Sequence, residues 1–225
     1  MGMAPVLDSV VPHGTNPHLL LWRQGWVIVR LLSARLDDQN EVVINAVLRK
    51  RGSHDRPPRA RDRQMRIDED IPKDNPILRQ RLASYGVVSS PLGLLGTQLS
   101  DRTYAPGVWQ LPGGGLEPGE TPADALVREV YEETGQSITG LRLVDLQSDH
   151  WLGLSPQGEY QDFHALRLIY RAECTDPTQP VVHDIGGTTQ SAHWVSWANW
   201  RSLQWTGGAH ATLIKHAIRP RQRGR

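Results

Sequence analysis

The alternation of apolar and polar residues predicts a series of short strands between residues 80 and 205. Two apolar runs, 82–89 and 94–99, fit a hairpin because a Pro-Leu-Gly turn separates them. Further short strands are predicted at 108–111, 141–147, 163–172 and 193–197. This part of the chain is therefore expected to form a sheet.

One segment has helical periodicity and carries its own boundaries. Thr121 is a good N-cap, Pro122 suits the first helical position, and residues 123–133 contain neither glycine nor proline. Gly135 follows the last turn, where a left-handed residue commonly ends a helix. The pattern predicts a helix that packs on the sheet through Ala125, Leu126 and Val130.

Three glutamates share one face of this predicted helix. Glu129, Glu132 and Glu133 stand three and four residues apart, so their side chains converge. Like charges at this spacing destabilise a helix by about 0.2–0.5 kcal/mol per pair, and a bound cation would reverse that effect. Mg²⁺ takes such oxygen ligands and keeps positions open for water and phosphate. We expect Arg128 to point elsewhere and to pair with Glu120 as a structural contact.

A glutamate-rich helix surface is often merely solvated, but here the spacing extends beyond the glutamates. The chain reads Gly114-x5-Glu120-x7-Arg128-Glu129-x2-Glu132-Glu133-x-Gly135. This order resembles the Nudix box of the Nudix hydrolases, G-x5-E-x7-R-E-U-x-E-E-x-G-U, where U is hydrophobic. Every fixed position matches. Only Gln136 departs from the final hydrophobic position, and we expect it to change local packing rather than activity.

The resemblance implies an α/β fold, namely a Nudix-type α/β/α sandwich with a mixed sheet. The second helix of that fold would lie at 198–205, and residues 209–218 would extend it. The resemblance also implies hydrolysis of a nucleoside diphosphate linked to another group, assisted by Mg²⁺ or Mn²⁺, with water attacking phosphorus.

The resemblance further assigns roles within the box. Glu129, Glu132 and Glu133 would bind metal together with the backbone carbonyl of Gly113, and Glu129 is a candidate to orient or deprotonate the attacking water. The structural members would be Gly114, Glu120, Arg128 and Gly135. Many relatives add a carboxylate from a late loop. Residues 185–193 contain no acid, so Asp184 is the nearest candidate.

Residues 1–78 form an extension before this domain. Strands are predicted at 26–32 and 42–48, joined by a turn at 37–40. An isolated hairpin is marginal in water, so we expect it to pack on the following domain or on a second copy, as in a homodimer. Residues 49–76 are rich in Arg, Asp and Pro and predict a linker. The predicted division is therefore 1–78, 79–218 and a basic tail, 219–225.

Composition adds little about partners. The 225 residues carry a formal charge of +1, and the single cysteine, Cys174, precludes an internal disulfide and suits a reducing cytoplasm. The first residues lack a basic start followed by an apolar run, so we expect no signal peptide. The apolar stretches at 19–22 and 26–32 are too short to span a bilayer.

Two other functions remain open. The arginines between 49 and 66 could contact RNA, as an RNA 5′-end pyrophosphohydrolase would require, but a solvated linker is the favoured interpretation, so nucleic acid is not the expected partner. A nucleotide-sensing protein without turnover would usually carry a degraded box and a DNA-binding helix-turn-helix. The N-terminal sequence shows no helix-turn-helix pattern.

Four residues are candidates for substrate binding. Trp109, before the glycine loop, and Trp151, between two predicted strands, could stack on a nucleobase, although most of the 8 tryptophans should be core or interface residues. His164 could contact phosphate or act as an auxiliary base, although a lone histidine is more often structural. Asp184 is the fourth. The sequence does not name the substrate.

Overall fold

A computed structural model describes residues 5–58, 75–155 and 158–217. The chain divides into two compact units. One contains the described residues up to Leu82 together with Asp145–Leu168, and the other contains Ala83–Val144 and the described residues from Ile169 onward. The predicted division placed 79–218 in one domain, whereas residues 145–168 group here with the N-terminal part of the chain. The tail 219–225 and most of the predicted linker lie outside the described residues.

The first unit contains the predicted hairpin, now as strands β2 (Trp26–Leu36) and β3 (Val42–Lys50). Each is longer than expected, and β3 continues to Lys50, where a linker had been predicted. At the hairpin turn Asn40 has a φ of 61°, and Asp37 accepts hydrogen bonds from the N–H groups of Gln39 and Glu41. Such a side chain-to-backbone turn fixes the hairpin register.

Two elements of this unit were missed by the sequence reasoning. Strand β1 (Val6–Val10) pairs antiparallel with β3 and completes a three-stranded sheet of order β1-β3-β2. Helix α1 (Pro17–Arg23) begins at Asn16, whose side chain accepts hydrogen bonds from the N–H groups of His18 and Leu19. The Asn-Pro pair at its start is a helix signal that the sequence offered.

A second sheet has seven strands, with the path β10-β5-β4-β9-β8, β6 on β5 and β7 on β4. The strands are β4 (Ile77–Ser90), β5 (Gly93–Leu99), β6 (Trp109–Gln110), β7 (Gly113–Gly115), β8 (Thr139–Leu154), β9 (Tyr160–Glu173) and β10 (Thr189–Val195). The predicted hairpin 82–99 is present as β4 and β5, with Ser90 opposite Gly93. Strands β4, β8 and β9 contribute residues to both units.

Two helices flank this sheet in the second unit, α2 (Pro122–Thr134) and α3 (Gly207–His216). The helix predicted at 198–205 was wrong: only a 3₁₀ turn, Trp200–Ser202, occurs there, and α3 begins separately after the N-cap Thr206. The α/β class is confirmed. No helix in the described part of the chain is long and apolar enough to cross a membrane.

The core of the second unit joins the sheet to α3. Leu94, Leu111, Ile169 and Leu213 are almost wholly buried and belong to one apolar cluster with Val87, Val195, Trp200, Trp205 and Ala209. On α2, Ala125, Leu126 and Val130 are fully buried, as the periodicity predicts. The glutamates of α2 are therefore carried by a helix whose other side is anchored in apolar packing.

Candidate functional site

Helix α2 is bounded by the residues that the sequence indicated. The Thr121 hydroxyl accepts a hydrogen bond from the N–H of Asp124, and Pro122 occupies the first turn. Gly135 adopts the left-handed conformation with φ 67°, and its N–H bonds to the carbonyl of Tyr131. These caps fix which face of the helix carries its acidic side chains.

The glycine loop lies close to this helix because it has no side chains. Gly113 pairs with Tyr85 and has a φ of 137°; a Cβ there would lie 2.1 Å from the carbonyl oxygen of Ser84. A Cβ on Gly114 would lie 2.4 Å from Oε1 of Glu129. At Gly113 the close approach is to the backbone of β4, which requires a glycine. At Gly114 the approach is to the carboxylate of Glu129, which an added Cβ would displace.

Glu133 is buried and bonded on both carboxylate oxygens. Oε2 accepts a hydrogen bond of 2.9 Å from the N–H of Gly113, and Oε1 accepts one of 2.5 Å from the hydroxyl of Thr189. The pKa of Glu133 is raised to about 7, chiefly by burial and also by the charges of Glu129 and Asp184. The two hydrogen bonds oppose this rise. A carboxyl that titrates near neutrality is a feature of functional sites.

Arg128 makes the predicted pair with Glu120 in a bidentate arrangement. Its Nε and Nη2 lie 2.9 Å from the two carboxylate oxygens of Glu120, and Nη2 also donates to the carbonyl of Gly115. The hydrogen bond from Arg128 lowers the pKa of Glu120, and the same bond raises the pKa of Arg128. This pair ties the glycine loop to α2.

The expectation that Arg128 points away from the other glutamates was wrong. Nη1 lies 3.1 Å from Glu129 Oε1 and 3.1 Å from Glu132 Oε2. The reason is geometric: the planar guanidinium has five donors, and pairing with Glu120 leaves Nη1 directed toward the acidic face. Arg128 therefore neutralises part of the charge on that face.

The acidic face still holds more negative than positive charge. Three carboxylates, those of Glu129, Glu132 and Glu133, share this face with the guanidinium of Arg128, which also pairs with Glu120. The side chain of Glu132 is 43% exposed and that of Glu129 is 18% exposed, so the face opens to solvent. An oxygen-rich, partly open donor set with excess negative charge fits a hard divalent cation.

Asp184 lies near the C-terminal part of α2. The N–H groups of His183 and Asp184 both donate to the carbonyl of Glu132, at 2.7 and 3.1 Å, and the His183 ring stacks on Tyr131. The charge of Asp184 raises the pKa of Glu133, which places this aspartate within electrostatic range of the buried glutamate. Its role in binding metal or substrate stays a prediction.

Thr189 was missed by the sequence reasoning. The segment 185–193 contains no acid, and the residue in it that reaches Glu133 is a threonine at the start of β10. Nothing local marks Thr189, because a threonine in a strand is ordinary. Only the pairing of β10 with β5 brings it into place.

Gln136 has a specific environment that explains its polarity. Its amide is buried, Oε1 accepts a hydrogen bond from the N–H of Thr178, and Nε2 donates to the hydroxyl of the same residue and to the carbonyl of Thr134. The amide thus fastens the segment that follows β9 to the end of α2. Its departure from the hydrophobic pattern is accommodated by these local contacts, and the expectation that activity is unaffected stays a prediction.

Trp109 packs against the core of the second unit. Its ring lies 5.8 Å from that of Trp205 and 5.6 Å from that of His193, and it also contacts the position where a Cβ on Gly96 would stand. These contacts account for its aromatic character without a substrate. A stacking role for Trp109 stays a prediction.

Trp151 and His164 belong to the first unit. Trp151 stacks on Phe163 with ring centroids 4.6 Å apart. His164 is fully buried and bonded to Ser148 and Gln80, and burial, together with the charges of His13 and His150, lowers its pKa to about 4. These contacts account for His164 as a structural residue, and a role in contacting phosphate stays a prediction.

The sequence of this chain is similar to those of known proteins. Residues 80–215 match the sequence profile of the NUDIX domain. An "RNA pyrophosphohydrolase" of Brucella abortus (strain 2308) is 36% identical over 90 residues, which cover 36% of this chain and 49% of that protein. The chain thus spans about half the length of this curated relative.

Two further matches cover more of the known protein. The "Nucleoside triphosphatase NudI" of Enterobacter sp. (strain 638) is 29% identical over 127 residues, covering 56% of this chain and 87% of that one. A solved structure of a NUDIX hydrolase from Nitrosomonas europaea shares 24% identity with a TM-score of 0.47, covering 65% of this chain and 97% of that one. Because the domain profile matches more than half of the chain and the box is complete but for Gln136, the chain belongs to the Nudix family.

Proposed function

We propose that the protein is a divalent-metal-dependent hydrolase that cleaves a diphosphate linkage in a nucleotide-type substrate by attack of water at phosphorus. The observation that carries this proposal is the convergence of Glu129, Glu132 and Glu133 on one face of α2, with the glycine loop closely packed against it. A phosphate chain is anionic, so an acidic face can receive it only with cations between the two.

Three glutamates of α2, Glu129, Glu132 and Glu133, would hold Mg²⁺, and Mn²⁺ could replace it. The carbonyl of Gly113 is a further candidate ligand. The donor set supports a hard cation because the ligands are oxygens and because Glu132 is partly exposed, which leaves room for water and phosphate. When bound, such an ion polarises the phosphoryl oxygens and lowers the pKa of a bound water.

The chain's own residues would position and activate the water. Glu129 is the proposed general base: it is packed under Gly114 and receives a hydrogen bond from Arg128, which limits the orientations of its carboxylate. Glu133 is fixed by Gly113 and Thr189 on both oxygens. Arg128 would hold the carboxylates of Glu129 and Glu132 in place. A bound cation would replace part of that contact.

The substrate class is the less specific part of the proposal. Two of the relatives act, by their names, on RNA or on nucleoside triphosphates. A nucleoside triphosphate contains the linkage proposed here, and so does an RNA whose 5′ end carries a triphosphate. The decisive experiment measures product release with Mg²⁺, and separately with Mn²⁺, across a panel: nucleoside triphosphates and their oxidised forms, ADP-ribose, NADH, nucleotide sugars, dinucleoside polyphosphates and 5′-triphosphorylated RNA.

The outcome of this panel distinguishes three functions. Turnover of a free nucleotide that is insensitive to salt supports a small-molecule hydrolase. Preference for the RNA, falling steeply as salt is raised, supports an RNA 5′-end pyrophosphohydrolase. Tight binding of a nucleotide without turnover under any metal would contradict the hydrolase and support a nucleotide sensor.

A cytoplasmic location and a homodimer through the N-terminal extension belong to the same proposal. The extension exposes Val6, Val10, Val29 and Leu32 on its three-stranded sheet, which supports burial against a second copy. Sedimentation of the full chain tests the dimer, with Val29→Lys as the variant expected to shift it to monomer. A monomeric wild type at micromolar concentration would contradict it.

A further inference from the structure

A cluster of metal-ligand residues lies in the first unit, and the Nudix box contributes none of them. His13 Nε2 lies 2.9 Å and His150 Nε2 lies 2.5 Å from the same oxygen of Asp162, Oδ1. The three ligand atoms all fall within 4.8 Å of one another. The His13 ring is also edge-on to the His150 ring, with centroids 5.7 Å apart. Two imidazole nitrogens therefore meet at one carboxylate oxygen.

The fold brings these groups together from three places in the chain. His13 lies in the turn after β1, His150 lies on β8, and Asp162 lies on β9. Gly14, with φ 68°, lets the turn approach closely, since a Cβ there would lie 3.2 Å from the His150 ring. The turn is thus shaped to bring His13 to the strands.

A second layer of contacts holds the cluster. The buried His164 lies edge-on to both other imidazoles, at 5.8 and 6.0 Å. Its Nε2 bonds to the Ser148 hydroxyl, and its Nδ1 lies 3.2 Å from the N–H of Gly14 and 3.1 Å from Gln80. His164 thus ties the turn at Gly14 to Ser148 on β8 and Gln80 on β4, next to the cluster.

The donor set differs in kind from the acidic face of α2. Imidazole nitrogen suits zinc and neighbouring transition metals, whereas Mg²⁺ prefers oxygen. Zinc bonds of ~2.0–2.2 Å set tetrahedral ligands roughly 3.3 Å apart. The two nitrogen–oxygen separations, 2.9 and 2.5 Å, reach that distance with shifts of less than about 1 Å. The side chains are 20–28% exposed, so a water molecule can complete the coordination.

We propose that His13, His150 and Asp162 form a binding site for a divalent transition-metal ion of the zinc class. The ion fastens the turn after β1 to β8 and β9. Its binding stabilises the first unit, because the three ligands come together only when that unit is folded.

The test measures Zn²⁺ binding by the full chain after removal of bound metal. Zn²⁺ is titrated against a chromogenic chelator in saturating Mg²⁺, which occupies oxygen-only sites and leaves imidazole sites free. We expect one tight equivalent of Zn²⁺ and a rise in the melting temperature. His13→Ala and His150→Ala should each weaken binding by more than the ~10–100-fold that loss of an outer-shell partner costs.

Two control variants locate the ion. His210→Ala removes an exposed imidazole of α3 and should leave Zn²⁺ affinity unchanged. Glu132→Gln alters the acidic face of α2 and should also leave it unchanged. X-ray absorption of the zinc form should show two imidazole ligands, and this signature should be lost in His150→Ala. Circular dichroism of each variant checks that it is folded, and His13, on a partly exposed turn, is the variant best able to tolerate replacement.

Two results would overturn the proposal. If wild type binds no Zn²⁺ tightly, the cluster is a hydrogen-bonded His–Asp–His arrangement without a metal role. If Glu132→Gln abolishes binding while His13→Ala and His150→Ala retain it, the ion occupies the acidic face instead.

Discussion

The backbone N–H of Gly113 donates a hydrogen bond of 2.9 Å to the carboxylate of Glu133. This bond joins the glycine loop to the buried glutamate of α2 across twenty residues of sequence. The N–H and the carbonyl of Gly113 are set by one backbone conformation, φ 137°, which a side chain would not allow. The loop and the glutamate therefore act as one positioned unit.

Glu133→Gln should reduce turnover by at least ~10²-fold and leave the fold intact. The amide keeps the shape of the carboxylate and can still accept the Gly113 hydrogen bond, but it removes the negative charge that holds a cation. The measurement is kcat at saturating Mg²⁺ on the preferred substrate, with thermal unfolding alongside. Glu173→Gln, at an exposed position, is the control. Turnover at the wild-type level would contradict the site assignment.

Gly114→Ala should reduce kcat/KM by ~10²-fold, because a displacement of about 1 Å at a positioned group can cost that much. The added Cβ would lie 2.4–2.6 Å from the carboxylate atoms of Glu129 and must displace them. Gly52→Ala is the matched control, since its Cβ would meet nothing closer than 3.6 Å. An active Gly114→Ala enzyme would show that the position of Glu129 is unimportant for turnover.

Arg128→Ala should lower the free energy of unfolding by about 2–3 kcal/mol, somewhat less than for a fully buried pair. The substitution leaves Glu120 and the Gly115 carbonyl without their partner and leaves Glu129 and Glu132 without a shared cation. Denaturant unfolding measures the loss. Arg142→Ala, on the exposed surface of β8, is the control.

Added Mg²⁺ should stabilise Arg128→Ala more than it stabilises wild type. The ion then has no guanidinium to displace from Glu129 and Glu132. Equal stabilisation of both proteins would contradict the idea that Arg128 and the cation compete for these carboxylates.

The contribution of Glu133 to the stability of the metal-free protein should fall as pH rises from about 4.5 to about 7. Burial raises the pKa of Glu133 from 4.5 to about 7 in the folded state, so the folded protein binds more protons than the unfolded chain in this window. Stability decreases with pH wherever the folded state binds more protons. The contribution is complete below pH 4.5 and is lost as the pH passes 7.

Denaturant unfolding in chelator at a series of pH values measures this effect. Glu133→Gln removes the titrating group, so the stability of wild type relative to this variant should fall as the pH rises through that window. Saturating Mg²⁺ should reduce the fall, because a cation favours the ionised carboxylate. An identical pH dependence for wild type and Glu133→Gln would show that Glu133 is not the group responsible.

The sequence was most informative where structure is local. The caps at Thr121 and Gly135, the apolar side of α2 and the pair Arg128–Glu120 were all predicted and are all present. These features depend on residues within a few turns of one another, so spacing along the chain fixes their spacing in space. The helix at 198–205 failed because its apolar pattern serves a tryptophan-rich core around a 3₁₀ turn.

By itself, then, the sequence determined the family, the helix that carries the glutamates, and the positions of most strands along the chain. Tertiary structure alone decided that Thr189 bonds Glu133, that Arg128 also reaches Glu129 and Glu132, and that His13 meets Asp162. Thr189 and His13 lie many tens of residues from their partners, and no periodicity records such contacts. These contacts exist because strand pairing and chain packing bring distant segments together. The additional contacts of Arg128 form because its guanidinium has five donors and can bond several nearby acceptors at once.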